Sequence, residues 1–234
     1  GLAVHFAGQG AHQAILELAP GVRAVQAHAQ QFLFHVGGYH VLGVLGVLLQ
    51  GDEPLAAQLI RREKENALDG KSARIIAKMN SLVDPKIISK LYKAADAGVQ
   101  IDLIVRGICC ARVKGHENLR IRSIVGRFLE HSRAFVFYNN GEPEVFLSSA
   151  DWMPRNLDKR VEIMFPVLDE QLRDRVIASL EDELHDNRKA WQMKKNGEYR
   201  RVKRTLPPLN SQETRILGHA KLNEDFFNDA REEE

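Results

Sequence analysis

The segment from Ala73 to Val105 restricts what this 234-residue chain can fold into more than any other part of it. Ala73 to Met79 (ARIIAKM) is an apolar run of strand length. Asp84-Pro85 then opens a helix, with Ile87, Ile88, Leu91 and Tyr92 at helical spacing and Gly98 as its stop. Val99 to Val105 reads as a second strand. A strand–helix–strand unit of this length favours two parallel strands joined by a right-handed crossover. It predicts an α/β fold, whose ligands gather at the carboxyl edge of the sheet.

The neighbouring sequence extends that domain. Pro54 to Asp69 is a helix with proline in its first turn and Gly70 at its end. Ile121 to Val125, Ala134 to Tyr138, Val145 to Ser149 and Arg160 to Val167 read as further strands, and Asn139-Asn140-Gly141 supplies hairpin turn chemistry between two of them. Asp169 to Asn187 is a long amphipathic helix with an aspartate at its start. Residues 53–205 therefore form the expected domain. Residues 206–234 follow as a polar, acidic tail that opens on a Pro-Pro break and contains a short helical stretch.

Residues 1–52 are a different kind of polymer. The first 50 hold one basic residue (Arg23), one acidic residue (Glu17), eight glycines and five of the nine histidines. As a membrane span the stretch from Gln31 to Gln50 is glycine-rich and interrupted by His35 and His40, so no membrane role is expected. Two other readings stand: a loosely ordered or partly helical segment, and a misjoined or out-of-frame stretch. With no initiator Met and no basic n-region, the start reads as a fragment boundary rather than a signal peptide.

Bulk charge adds little: a net charge of +2 with 27% charged residues does not require nucleic acid or a membrane surface. The only cysteines, Cys109 and Cys110, are adjacent, which disfavours a strain-free disulfide, and no C-x-x-C spacing exists for zinc. No metal ligands are nominated, and a reducing, cytoplasmic compartment is expected.

Two strand ends carry the chemistry. Phe128-Leu-Glu-His-Ser-Arg133 enters the run from Ala134, so His131 and Arg133 are expected to share one face of a strand. Val145 to Asn156 ends in hydroxyls, an acid, an indole and an amide, giving Ser149, Asp151, Arg155 and Asn156 as supporting candidates. Arg106 sits where the second strand of the parallel pair ends, and a guanidinium there can grip a phosphate bidentately. The alternatives are a surface ion pair for Arg106 and a satisfied histidine for His131. His116 and His185 are expected to be solvated, and Trp152 to pack rather than stack on a base. Lys194-Lys195, Arg200-Arg201 and Lys203-Arg204 read as a solvated face or as a track for a polyanion.

Four strings carry a family likeness. Ala73 to Pro85, Ile104 to Cys110, Arg122 to Arg133 and Ser148 to Asn156, in that order, resemble the C-terminal catalytic region of type-1 polyphosphate kinase, over about Leu55 to Val202. That family belongs to the phospholipase D-like group, in which a histidine two residues before a basic residue is paired with a later Ser/Asn element. Here the basic residue is Arg133 instead of the group's usual lysine.

The resemblance implies a mixed sheet flanked by helices. It also implies an ATP:polyphosphate phosphotransferase that moves the ATP γ-phosphoryl to polyphosphate through a phosphohistidine. ATP/ADP and inorganic polyphosphate would be its partners, with Mg²⁺ as cofactor, a homo-oligomeric assembly and no nucleic acid. It assigns nucleotide phosphates to Arg106 and the role of second active-site histidine to His131. Arg133 joins His131 as a catalytic candidate. The family's phosphorylated histidine lies on a His-x-Lys strand of the preceding half. None of the histidines in residues 1–50 has a lysine two residues on, and His219-Ala-Lys221 lies in a polar tail without strand context. The expectation is therefore half of a two-half active site. The alternatives are a non-catalytic polyphosphate- or nucleotide-binding module and a phospholipase D-like phosphodiesterase.

Overall fold

The computed structural model describes residues 30–36, 39–45 and 53–218, the first two stretches by backbone alone. The readings of residues 1–29, of the His219–Lys221 motif and of the acidic end fall outside these residues. Strands β1 (Gln30–Val36) and β2 (Tyr39–Leu45) pair antiparallel, where the sequence suggested a loosely ordered or partly helical segment.

The remainder is one α/β unit. In chain order it contains α1 (Leu55–Leu68), β3 (Arg74–Met79), α2 (Pro85–Asp96), β4 (Gln100–Val105), β5 (Leu119–Ile124), β6 (Ala134–Phe137) and β7 (Glu144–Ser148). It continues with α3 (Pro154–Lys159), β8 (Met164–Pro166), α4 (Glu170–His185), β9 (Ala190–Met193), β10 (Tyr199–Arg201) and a last helix, α5, over 211–218. The eight strands form one sheet in the order β10-β9-β5-β4-β3-β6-β7-β8. β3 and β4 are parallel, as the strand–helix–strand pattern favoured, β5 runs parallel to β4, and all other pairs in this sheet are antiparallel.

Side-chain alternation on the central strands sorts the molecule into three layers. Ile75, Ala77 and Met79 of β3, with Ile101, Leu103 and Val105 of β4, face α1 and α2 and build the larger core. Ile76, Ile104 and Val136 face the other way, under Leu180 of α4, in a smaller core. That second face also carries Arg74, Lys78 and Asp102, so its apolar area is limited. Asp84 caps α2 by accepting from the Ile87 amide at 2.8 Å, and Asp169 caps α4 through the Leu172 amide at 2.8 Å. Asn139 and Asn140 take positive φ (42° and 59°) in the β6–β7 turn, as the Asn-Asn-Gly sequence predicted.

Two expectations are corrected and one is kept. The strand anticipated over Arg160–Val167 is only Met164–Pro166, because the Ser149 hydroxyl takes the Ile163 amide at 3.1 Å and Pro166 offers no donor. The basic stretch after α4 is an exposed face, as read, with all six of its lysines and arginines exposed, and β9 and β10 form an antiparallel pair there, with the Arg201 guanidinium 5.3 Å from the Trp191 ring centre. His116 is half-buried rather than freely solvated. Its ring stacks on Tyr92 at 4.3 Å, with Nδ1 2.7 Å from Asp96 Oδ1.

Ser211 and Gln212, in the stretch read as a polar tail, are buried. Asp186 accepts from the Ser211 amide and hydroxyl, both at 2.9 Å, which seats the start of α5. Among the described residues no helix is long and apolar enough to cross a membrane.

Two outcomes follow for stability. Asp84→Ala should cost about 1 kcal/mol in a denaturation experiment, since it removes the α2 cap. Acid should release α5. Burial works to raise the Asp186 and Glu130 pKa values, but their hydrogen bonds and ion pairs outweigh it and hold both below the usual carboxylate range. A depressed folded pKa contributes stability fully above the unfolded value of about 4, and that stability is lost as pH falls through the depressed values. Thermal midpoints measured from pH 7 down to pH 2 should therefore drop below about pH 4, and less steeply in Asp186→Asn.

Candidate functional site

Three loops leave the carboxyl edge of the sheet, after β3, β4 and β7, and are tied to one another by backbone. Leu82 forms single bridges with both Cys109 and Trp152. Its amide donates to the Ile108 carbonyl at 2.8 Å, and the Cys110 amide donates to its carbonyl at 2.8 Å. The Val83 and Asp84 amides both donate to the Trp152 carbonyl at 2.9 Å. Trp152 is 1% exposed and stacks on Phe135 at 4.9 Å, so its indole anchors this platform by packing. Gly107 donates its amide to the Asn80 carbonyl at 2.8 Å, and a Cβ there would stand 3.0 Å from that oxygen. A side chain would push the two strand exits apart.

Asn80 is the hub of the arrangement, and nothing in the sequence reading nominated it. Met79 and Val105 are paired in register, so Asn80 and Arg106 are the next residues out on neighbouring parallel strands. The Asn80 Oδ1 accepts from Arg106 Nε at 3.0 Å, and its Nδ2 donates to the His131 carbonyl at 3.4 Å. Its amide donates to Asp151 Oδ1 at 2.8 Å. Asp151 in turn accepts from Arg133 Nε at 3.1 Å and Nη2 at 3.3 Å, and Arg133 Nη1 donates to the His131 carbonyl at 3.3 Å. Arg106, His131, Arg133 and Asp151 are thus brought into one network. The available signal was position: Asn80 is the first residue beyond β3 at the edge where an α/β sheet meets its ligands.

The expectation that His131 and Arg133 share a strand face is corrected. β6 begins at Ala134, and strand pairing reaches back only to the Arg133 carbonyl, which accepts from the Ser148 amide at 3.1 Å. The buried Asp151 carboxylate claims the Arg133 guanidinium and turns it inward, while His131 stays exposed. A buried carboxylate left without such a partner would be costly. Among the described residues, neither terminal nitrogen of Arg106 has a partner, nor does the His131 ring.

The other candidates gather separately. The Ser149 hydroxyl and the Asn156 Nδ2 both bond the Glu162 carboxylate, the latter at 2.5 Å, and Glu162 is a second residue that sequence reasoning missed. Arg155 is exposed on α3. Burial pushes the Cys109 thiol up, away from thiolate chemistry. Among the described residues no group of three His, Cys, Asp or Glu side chains is placed to hold a metal ion. Asp151 and Glu162 are already committed to protein donors, so the Mg²⁺ implied by the resemblance finds no ligand set here.

Known proteins give the same reading. Residues 53–212 match the family described as "Polyphosphate kinase C-terminal domain 2". The chain is 54% identical over 159 residues to "Polyphosphate kinase 1" of Chlorobaculum tepidum, covering 67% of this chain and 23% of that protein. With "Polyphosphate kinase" of Paraburkholderia phytofirmans it shares 49% over 189 residues, covering 79% of this chain and 28% of the relative. The crystal structure of polyphosphate kinase from Porphyromonas gingivalis superposes with a TM-score of 0.69 at 42% identity, covering 73% of this chain and 27% of that one. The chain therefore spans about a quarter of the length of these relatives. Most of the residues placed around Asn80 fall inside strings that already carried the family likeness, and the match runs through the whole sheet: the chain belongs to the polyphosphate kinase C-terminal domain 2 family.

Proposed function

We propose that this chain supplies one half of an ATP:polyphosphate phosphotransferase centre, binding phosphate groups through Arg106 and presenting His131 to the transferred phosphoryl group. The observation that carries the reading is the state of Arg106. Its Nε is fixed by Asn80, while both terminal nitrogens point away from any protein partner among the described residues. A guanidinium held by one nitrogen keeps a two-pronged donor pair for a phosphate at little further cost in side-chain ordering.

The division of labour follows from the bonds. Arg106 offsets charge on the oxygens of the phosphoryl group, the main requirement of phosphoryl transfer. His131, whose ring has no protein partner among the described residues, serves as a hydrogen-bond donor or proton carrier. Arg133 and Asp151 act on the backbone that bears His131. The phosphohistidine implied by the family likeness is assigned to a partner half, and Mg²⁺ to ligands from that half or from ATP. The relatives' names support polyphosphate as a substrate, and the family likeness supports ATP as its partner. The free thiols of Cys109 and Cys110 fit a reducing cytoplasmic setting, and the family likeness supports a homo-oligomer.

Binding of ATP and of tripolyphosphate to the purified chain, measured by calorimetry at several salt concentrations, tests this. Affinity should fall as salt rises. Arg106→Ala should lower it about tenfold to a hundredfold. His131→Ala should leave binding within a few-fold and abolish turnover once a complementary half is supplied. Unchanged affinity in Arg106→Ala would overturn the site, and growth of polyphosphate by the chain alone would overturn the half-centre. If binding occurs but His131→Ala leaves turnover intact, the histidine has no catalytic part.

A further inference from the structure

The segment that carries His131 belongs to no strand or helix. Among the described residues, no backbone-to-backbone hydrogen bond ties residues 126 to 132 to the rest of the fold. Besides Asn80 and Arg133 at the His131 carbonyl, its backbone is held by a side chain from the other end of the chain. The Gln212 Oε1 accepts from the Phe128 amide at 3.1 Å, and Gln212 Nε2 donates to the Phe128 carbonyl at 2.9 Å. The same Nε2 donates to Glu130 Oε1 at 2.7 Å. The carboxamide of Gln212 thus pairs with both backbone groups of one residue, as an antiparallel neighbour strand would.

Gln212 is 6% exposed and its bond to Glu130 is buried, while the two to Phe128 are part-buried, so losing them would leave the polar groups of Gln212 without partners in a largely dry position. The fit is close on the loop side as well. A Cβ built on Gly126 would stand 2.3 Å from Gln212 Oε1 and 2.7 Å from its Cδ. The helix that bears Gln212 is itself anchored. Ser211 bonds Asp186, the Leu209 amide donates to Asn187 Oδ1 at 3.1 Å, and Arg215 bonds the Glu183 carboxylate and the Ser179 carbonyl. Gln212 therefore reaches the loop from a fixed base.

We propose that Gln212 is a positioning residue: its carboxamide replaces the missing strand partner of the Phe128–Glu130 segment and so sets where His131 stands relative to Arg106. The proposal rests on the reading of Arg106 and His131 as the phosphate site. It assigns the last helix of the domain a part in the site although no residue of that helix reaches it.

The test uses the whole chain and two readouts: amide hydrogen exchange at Phe128 and affinity for tripolyphosphate. Gln212→Ala removes the amide, and Gln212→Met removes it while keeping similar length and volume. Both should raise Phe128 exchange about tenfold and weaken tripolyphosphate several-fold, with exchange in β3 and β4 unchanged. If Gln212→Met behaves as the parent, the residue only fills space and the proposal is wrong. If exchange rises without any change in affinity, the clamp does not serve the site and the proposal is equally wrong.

Gly126→Ala gives an independent check that leaves Gln212 in place. It should reproduce the loosened loop in the parent and add little in Gln212→Ala, because the collision then disappears. Full additivity would contradict the contact. If the parent chain does not bind tripolyphosphate at all, the phosphate-site reading fails, while Phe128 exchange still decides whether Gln212 holds the loop.

Discussion

A buried ammonium organises the half of this fold that lies under α4. Lys78 projects from the central strand β3 and is 3% exposed, a position that a lone positive charge could not hold in a low-dielectric interior. Its Nζ lies 2.5 Å from Glu130 and 2.5 Å from Glu183. Arg215 of α5 closes the set by pairing with the same two carboxylates. Two cations and two anions from four separate segments thus neutralise one another. Glu130 is the residue before His131, Glu183 lies in the last turn of α4, and Arg215 belongs to the closing helix. Neutralising one strand residue therefore draws the His131 loop and both late helices onto the same face.

Alternation along β3 then links that core to the chemistry. Lys78 faces the ion cluster, Met79 enters the opposite core and Asn80 emerges at the carboxyl edge. A rigid central strand thereby places the amide that holds Arg106 and His131. The arrangement is ordered in a specific sense: its backbone and the inner nitrogen of Arg106 are held, while the outer guanidinium nitrogens and the imidazole have no protein partner among the described residues. Such an arrangement suits binding a polyanion whose phosphates present repeated, equivalent oxygens.

The sequence was most readable where local and global preferences agree. The Ala73–Val105 unit, the Asp84 and Asp169 caps and the Asn139–Gly141 turn each carry a local signal with a single structural outcome, and all are present. Readability failed where a side chain overrides the local pattern. The alternation through His131 and Arg133 looked strand-like, but Asp151, distant in sequence, turns Arg133 inward before the ladder starts. β9 and β10 are only four and three residues long, and two of the three residues of β10 are arginines, so no apolar alternation marked them. Arg106 was legible as the residue just beyond a strand at the carboxyl edge, and the His131 stretch as the approach to β6. Asn80, Glu162 and Gln212 were not, since an uncharged amide or a single glutamate acquires meaning only from partners far along the chain.

Leu82 carries a consequence of another kind. Because it bridges Cys109 on one side and Trp152 on the other, the loops after β3, β4 and β7 share a single register at one residue. None of the three can gain or lose a residue near that point without displacing the other two. Surface loops of an α/β fold usually absorb insertions freely, but here the variation in length has to go elsewhere, for example into the exposed β9–β10 turn. The same platform that joins the three strand exits thus restricts where, along this chain, length is free to vary.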